Sequence, residues 1–225
     1  MCTIVLRFEP GADPAVVLAA NRDEFRDRFA DDPAAIAPGV FAGRDRTAGG
    51  TWLAVSRAGV AALTNVRTGP RDPAAPTRGT LPLAALAGNL PTDLASYNAF
   101  NLLVVDRDGA RVVTHEGPGT PVRTTRLGPG THVIDNEAFG LPSPRIARAT
   151  ALLADAEPDL MVLGHHGAGP EDGLCHHGEL YGTVSATTLA LDRDFRVLRY
   201  AHVSGPPCRG VPVDLTARAR AVVGT

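Results

Sequence analysis

The apolar residues of this chain fall in short runs bounded by clusters of Gly, Pro, Asp and Asn, a pattern that predicts strands joined by turns. Thr3 to Phe8 is β-branched and apolar, Glu9 to Pro14 is a turn cluster, and Val16 to Ala20 is a second apolar run. Together they predict a hairpin that returns the chain past its own start and sets Arg22, Asp23 or Glu24 beside Cys2. Arg26 to Phe41, rich in Asp, Pro and Ala, reads as a mobile segment. Gly49 to Ser56 and Gly59 to Asn65 predict two more strands, and Thr68 to Pro82 a surface loop. Phe100 to Asp106 pairs with Ala110 to His115, and Tyr181 to Leu191 with Phe195 to His202, each around an Asp-rich turn. Val133 to Asn136 reads as a strand end. Helices are fewer: a short one over Leu83 to Leu90, and the best from Ser143-Pro144 to about Ala156, with Ile146, Ala149, Leu152 and Leu153 at helical spacing. Many strands, few helices and hairpin connections predict an α+β domain with antiparallel sheets.

Composition narrows the function classes. At 225 residues, with 44% apolar and 20% charged, the chain is expected to be one globular domain over 1–225. A net charge of −2 gives no footprint for nucleic acid or a membrane surface. All 22 basic residues are Arg, which excludes a lysine nucleophile or Schiff base. Three widely spaced cysteines argue against a disulfide framework and for a reducing, cytoplasmic setting. No signal-peptide pattern opens the sequence, no apolar run is long enough to span a membrane, and no internal repeat is present.

The chemistry centres on Cys2. Methionine before a small residue is normally removed, so the mature chain is expected to begin with a cysteine that carries both a thiol and a free α-amine. With reference values near ~8.5 for the thiol and ~7.7–8.0 for the amine, the amine can take the thiol proton near neutral pH, placing nucleophile and base on one residue.

Ala20-Asn21-Arg22-Asp23-Glu24-Phe25 resembles the motif that names the NRDE domain, the transport and Golgi organisation protein 2 family. Met1-Cys2, Gly49-Gly50-Thr51-Trp52-Leu53, Ala62-Leu63-Thr64-Asn65, Arg78-Gly79, Tyr97 with Phe100-Asn101-Leu102-Leu103, and Tyr181-Gly182-Thr183 resemble further blocks of that family, in its order. The family in turn resembles cysteine N-terminal-nucleophile hydrolases, whose fold is a four-layer αββα sandwich. The resemblance implies a hydrolase or acyltransferase acting on an amide or ester of a small molecule. Cys2 would be the nucleophile, with Arg22 and Asp23 or Glu24 close by. Asn65 would line the site, and Asn136 would donate to the oxyanion, an interaction worth about 2.7–4 kcal/mol in other enzymes. One departure is Val184, where many members carry Arg after Tyr-Gly-Thr.

The resemblance also implies an alternative, a non-catalytic carrier of haem or an acyl lipid. Under that reading His165, His166, His176 and His177 are the candidate haem ligands; under the hydrolase reading no cofactor is needed. Those histidines and Cys175 match no zinc-site spacing, and adjacent residues on a strand point to opposite faces, so only one histidine of each pair can share an ion. They are therefore read as polar surface and packing residues, with no metal expected.

Overall fold

The computed structural model describes residues 2–69, 71–169 and 171–224. Met1, on whose removal the terminal-cysteine chemistry turns, lies outside them. In chain order the strands are β1 Thr3–Phe8, β2 Val16–Phe25, β3 Ala30–Ala37, β4 Val40–Asp45, β5 Leu53–Ser56, β6 Gly59–Asn65, β7 Phe100–Asp106, β8 Gly109–His115, β9 Arg123–Leu127, β10 Gly130–Ile134, β11 Tyr181–Leu191, β12 Val197–Ser204 and β13 Val213–Asp214. The helices are α1 Leu81–Leu86, α2 Pro144–Leu152, α3 Leu160–Leu163 and α4 Thr216–Val223. Six strands form one sheet in the order β10-β1-β2-β11-β12-β13, and seven form the other in the order β3-β4-β5-β6-β7-β8-β9. Every pairing among them is antiparallel.

Strand alternation builds the layers. Ile4, Leu6 and Phe8 stand opposite Ala20, Leu18 and Val16. Being opposite, they share a face, and that face fills the space between the sheets together with Leu53, Val55, Val60, Ala62, Leu103 and Val105. The intervening residues face outward onto helices. Ala54, Ala61, Leu102 and Val104 meet Leu81, Ala85 and Leu86 of α1, and Ala19 and Ala186 meet Leu163 of α3. Leu215, Ala219 and Val223, at and within α4, close the inter-sheet core at one edge. The result is an α+β sandwich of two antiparallel sheets with helices outside both, consistent with the αββα layering.

The sequence reading needs correction in several places. Arg26 to Phe41 is not a mobile segment: most of it forms β3 and leads into β4. β3 carries Pro33 and lies at the edge of its sheet, where a missing N–H costs no ladder bond. The first helix starts at Leu81 rather than Leu83, with Pro82 in its first turn. α2 ends at Leu152 rather than near Ala156. β9, α3 and α4 add elements that the sequence pattern does not predict: β9 is polar, and α3, though apolar, is a single turn of four residues.

Candidate active site

The β1–β2 hairpin and the neighbouring strands assemble the site. Thr3 stands opposite Asn21, so one further step of that register sets Cys2 level with Arg22. Ile4 stands opposite Ile134, so two further steps set Cys2 level with Asn136 on its other side. Arg22 is in turn opposite Ser185 on β11. Cys2 and Arg22 open into a cleft shared with Glu24, Asp45, Trp52, Asn65, Arg71 and Arg78, with about 680 Å³ of empty space including its open mouth. Asn136 reaches the same end of the sandwich: its Nδ2 donates to the backbone carbonyl of Asn65 at 2.5 Å, although 71 residues separate them. Asn65 thus lines the cleft, while Asn136, expected to donate to the oxyanion, meets it through the Asn65 backbone.

Asp23 behaves differently from its neighbours. Its backbone carbonyl accepts from Cys2 Sγ at 3.8 Å and from Tyr181 Oη at 2.8 Å. Its carboxylate, by strand alternation, turns to the helix side of the sheet. There it accepts from Thr183 Oγ1 at 2.6 Å and lies 3.5 Å from Arg145 Nη1 and 3.8 Å from His176 Nε2. Asn21 points the same way and donates to the carbonyls of Leu163 and Leu174 at 3.0 and 2.6 Å. Arg145 Nη1 also reaches Thr3 Oγ1 at 3.5 Å, and its Nη2 meets His176 Nε2. Glu24 stays on the cleft side, accepting from the Phe25 amide at 2.9 Å and lying 3.7 Å from Arg28. Of the proposed carboxylates, then, Glu24 lines the cleft and Asp23 underlies it.

The cleft walls are cationic. Arg22 lies over the Trp52 ring at 4.7 Å to the centroid, within reach of cation–π attraction. Gly43 makes room for that ring, since a Cβ there would come within 2.5 Å of Trp52 Cη2. The Gly49-Gly50-Thr51-Trp52 block meets Arg78-Gly79 through a Thr51 amide to Gly79 carbonyl bond of 2.8 Å. A side chain on Gly50 would strike the Gly79 backbone at 2.4 Å, so the approach requires glycine. Burial, with Arg71 and Arg28 adding repulsion, lowers the Arg78 guanidinium to about 10. Asp45 resists the cost of burial and is held below its usual value by hydrogen bonds from Arg28 and the Ala48 and Thr47 amides. Burial pushes the Cys2 thiol up, with Asp23 and Glu24 adding to the rise.

A buried polar network fixes Asn136. Asn101 Nδ2 donates to the carbonyls of Asp135 and Glu137 at 3.2 and 2.8 Å. Its Oδ1 accepts from Thr114 Oγ1 and the Phe139 amide, both at 3.0 Å. Thr64 Oγ1 donates to the Asp135 carbonyl at 2.6 Å, and the Arg67 amide to the Asn136 carbonyl at 2.9 Å. Ser143, the cap of α2, donates to Asp135 Oδ2 at 2.5 Å. Truncating Asn101 strands several buried groups at once. Asn101→Ala is therefore expected to cost about 3 kcal/mol, measured as a shift in the urea midpoint at constant slope.

The sequence did not single out Arg145; Asn101 and Thr183 appeared there only within family blocks, and His176 only as a candidate haem ligand rather than as a neighbour of Asp23. Arg145 did carry a signal: a cation in the first turn of a helix opposes the helix dipole and calls for a compensating partner. The four histidines separate. His165 Nδ1 accepts from the Gly167 amide at 3.1 Å. His166 and His177 face each other at 3.2 Å between Nε2 atoms, and His176 turns to Asp23. Val184 lines a separate depression with Arg22, Arg26 and Arg28, so that region keeps its cations without the missing Arg.

A family model described as Transport and Golgi organisation 2 matches residues 1–160. The chain belongs to that family. In this member of the Transport and Golgi organisation 2 family, Cys2, Arg22, Asp23, Glu24, Asn65 and Asn136 all fall within the matched span, whereas His176 and Thr183 fall beyond it. No curated protein matches the chain. Among the described residues, no helix is long and apolar enough to cross a membrane.

Proposed function

We propose that this protein is an N-terminal-nucleophile hydrolase or acyltransferase that cleaves an amide or ester of a small, negatively charged molecule, with Cys2 as nucleophile. The observation that carries this reading is that Cys2, Arg22, Glu24 and Asn65 line one cleft, with the Asn136 side chain bonded to the Asn65 carbonyl behind it.

With Met1 removed, the α-amine of Cys2 takes the thiol proton. The thiolate then attacks the substrate carbonyl carbon, and the carbonyl π pair moves to oxygen. Asn136 Nδ2 commits one N–H to the Asn65 carbonyl, and this mechanism assigns its second N–H to that oxyanion. The Asn65 side-chain amide supplies a further donor. Collapse breaks the C–N or C–O bond, the α-ammonium protonates the leaving group, and a thioester remains on Cys2. Water, deprotonated by the same amine, releases the acid; an acceptor amine or alcohol in its place completes a transfer. Asp23, backed by Thr183 and Arg145, orients and balances the ammonium. Arg22, Arg28, Arg71 and Arg78 outnumber Asp23, Glu24 and Asp45 around the cleft, and the Asp23 carboxylate turns away from it, which favours substrates bearing a carboxylate or phosphate. The thiol chemistry needs reduced cysteine, which fits a cytoplasmic setting.

The test uses protein whose intact mass shows Cys2 at the terminus. It is incubated with a panel of anionic N-acyl amides and esters, then acid-quenched and mapped by mass spectrometry. An acyl adduct on Cys2 is expected, and Cys2→Ala should lower turnover roughly 10³-fold or more, the scale of losing a covalent nucleophile. Turnover that survives in Cys2→Ala would sink this reading.

A further inference from the structure

Outside the cleft, on the loops that flank the β11–β12 hairpin, four metal-binding side chains converge. His166 follows α3, Cys175 and His177 precede β11, and Cys208 follows β12. One ligand atom from each lies within 4.8 Å of all the others. The Cys175 and Cys208 sulfurs are 3.6 Å apart, and the Nε2 atoms of His166 and His177 are 3.2 Å apart. His177 Nε2 is 3.6 Å from Cys175 Sγ and 3.1 Å from Cys208 Sγ. Zinc bonds of ~2.3 Å to sulfur and ~2.0–2.1 Å to nitrogen, set tetrahedrally, put ligand atoms about 3.3–3.8 Å apart. The four separations among Cys175, His177, Cys208 and the His166–His177 pair, 3.1 to 3.6 Å, lie near that figure, while His166 stands within 4.8 Å of the two sulfurs and would move inward to complete the tetrahedron. The distance between the sulfurs is too long for a disulfide, whose S–S bond is ~2.05 Å.

The fold explains how such distant residues meet. A hairpin brings the residues before its first strand beside those after its second, and here those are His177 and Cys208. The Cys175 and His177 side chains lie on one side, 3.6 Å apart, while His176 between them turns the other way to Asp23. The backbone is pinned independently of any ion. The Leu174 and Cys175 amides donate to the His165 carbonyl at 2.8 and 3.1 Å, the Thr183 amide to the His176 carbonyl at 3.0 Å, and Arg26 Nε to the Gly178 carbonyl at 2.9 Å. The Cys208 backbone passes beside Gly164, where a Cβ would make ordinary contact at 3.4 Å with Cys208 Cα.

We propose that His166, Cys175, His177 and Cys208 bind one zinc ion in a closed, four-coordinate structural site. Two thiolates with two imidazoles in tetrahedral array select zinc over calcium or magnesium, which prefer oxygen. With four protein ligands, no coordination position remains for substrate, so the ion acts on structure. It ties the loop after β12 to the segment bearing Leu174 and His176, which themselves hold Asn21 and approach Asp23. Zinc would thereby brace the helix-side support of the β1–β2 hairpin. All four ligands lie beyond residues 1–160, the span of the family match.

The test is metal analysis of untagged protein purified under reducing conditions with added zinc, by elemental mass spectrometry after gel filtration. About one zinc per chain is expected in the wild type. Cys208→Ser and His177→Ala should each lose most of it, while His165→Ala, at a neighbouring non-ligand, should keep it. Should a ligand variant fail to fold, cobalt titration of the chelator-stripped wild type decides: intense visible bands of tetrahedral cobalt, with thiolate-to-cobalt charge transfer in the near ultraviolet, support the site. A wild type that takes up neither metal after reduction overturns it. So does zinc retained equally in the ligand variants, or an octahedral cobalt spectrum. These readouts do not depend on whether Cys2 turns over any substrate.

Discussion

Arg145→Met is expected to destabilise the protein by about 3–5 kcal/mol at pH 8, because it breaks a buried ion pair by removing one partner. The side chains of Arg145 and Asp23 are 2% and 0% exposed, and 3.5 Å separates Nη1 from the carboxylate. The size should depend on pH. Burial raises the Asp23 carboxyl above its ordinary value, while the Thr183 hydrogen bond and the Arg145 charge hold it back. A carboxyl raised on folding favours the folded state fully below its unfolded value, ~3.9, and that contribution is lost as pH rises through the folded value. Removing Arg145 raises the folded value further, so the loss grows over the neutral range. The deficit of the variant should therefore shrink as pH falls and Asp23 takes up its proton, since a protonated Asp23 no longer needs the cation. Asp23→Asn combined with Arg145→Met should recover part of the loss. Urea unfolding of wild type, single and double variants at pH 8 and at a lower pH, with zinc present throughout, checks this. A deficit equal at both pH values would mean that Arg145 acts through packing alone.

Much of the framework was legible because it is local. The apolar runs at Thr3–Phe8 and Val16–Ala20 with a turn between them dictate β1 and β2, and antiparallel pairing then carries Arg22 back to Cys2 without further information. The Asp-rich turns that join β7 to β8 and β11 to β12 were equally plain. What escaped is of two kinds. β3 and β9 are the edges of their sheet, exposed enough to be polar, so Ala30–Ala37 and Arg123–Leu127 lack the apolar signature of the central strands. The other losses are long-range. Asn101 and Arg145 reach the site from β7 and α2, and their role depends on how layers stack, which no local pattern encodes. The same holds for the two sides of β2, where alternation sends Arg22 to the cleft and Asp23 beneath it. Cys208 is the instructive case. It lies 31 residues beyond His177, outside any short motif, yet the β11–β12 hairpin already read from sequence brings the two together. Following that hairpin to its flanks would have joined the histidine-rich segment to its fourth ligand.

Cys2 should be the first of the three cysteines to react with iodoacetamide near neutral pH, at a rate set by its α-amine. Alkylation follows the thiolate fraction. Burial alone pushes this thiol up, so without help it would react slowly. A free amine on the same residue changes that balance: once protonated, it places a positive charge beside the sulfur, and Arg22 in the same cleft adds another. Cys175 is buried, and Cys208, though exposed, would be masked by the proposed zinc. The decisive comparison is protein beginning at Cys2 against protein with one residue retained ahead of it, with intact mass defining each. The extended form has an amide where the base should be. Its labelling at pH 7.5 should fall by about tenfold or more, equivalent to a rise of about one unit in the thiol pKa. Its rate profile should move to higher pH by a similar amount. Chelation should speed Cys208 in both forms and leave the Cys2 ratio unchanged, which separates the two thiol sites. Equal rates at Cys2 in the two forms would rule out the amine as base. The cleft would then be read as a binding site on the same sandwich, its arginines holding an anionic ligand that Cys2 does not cleave.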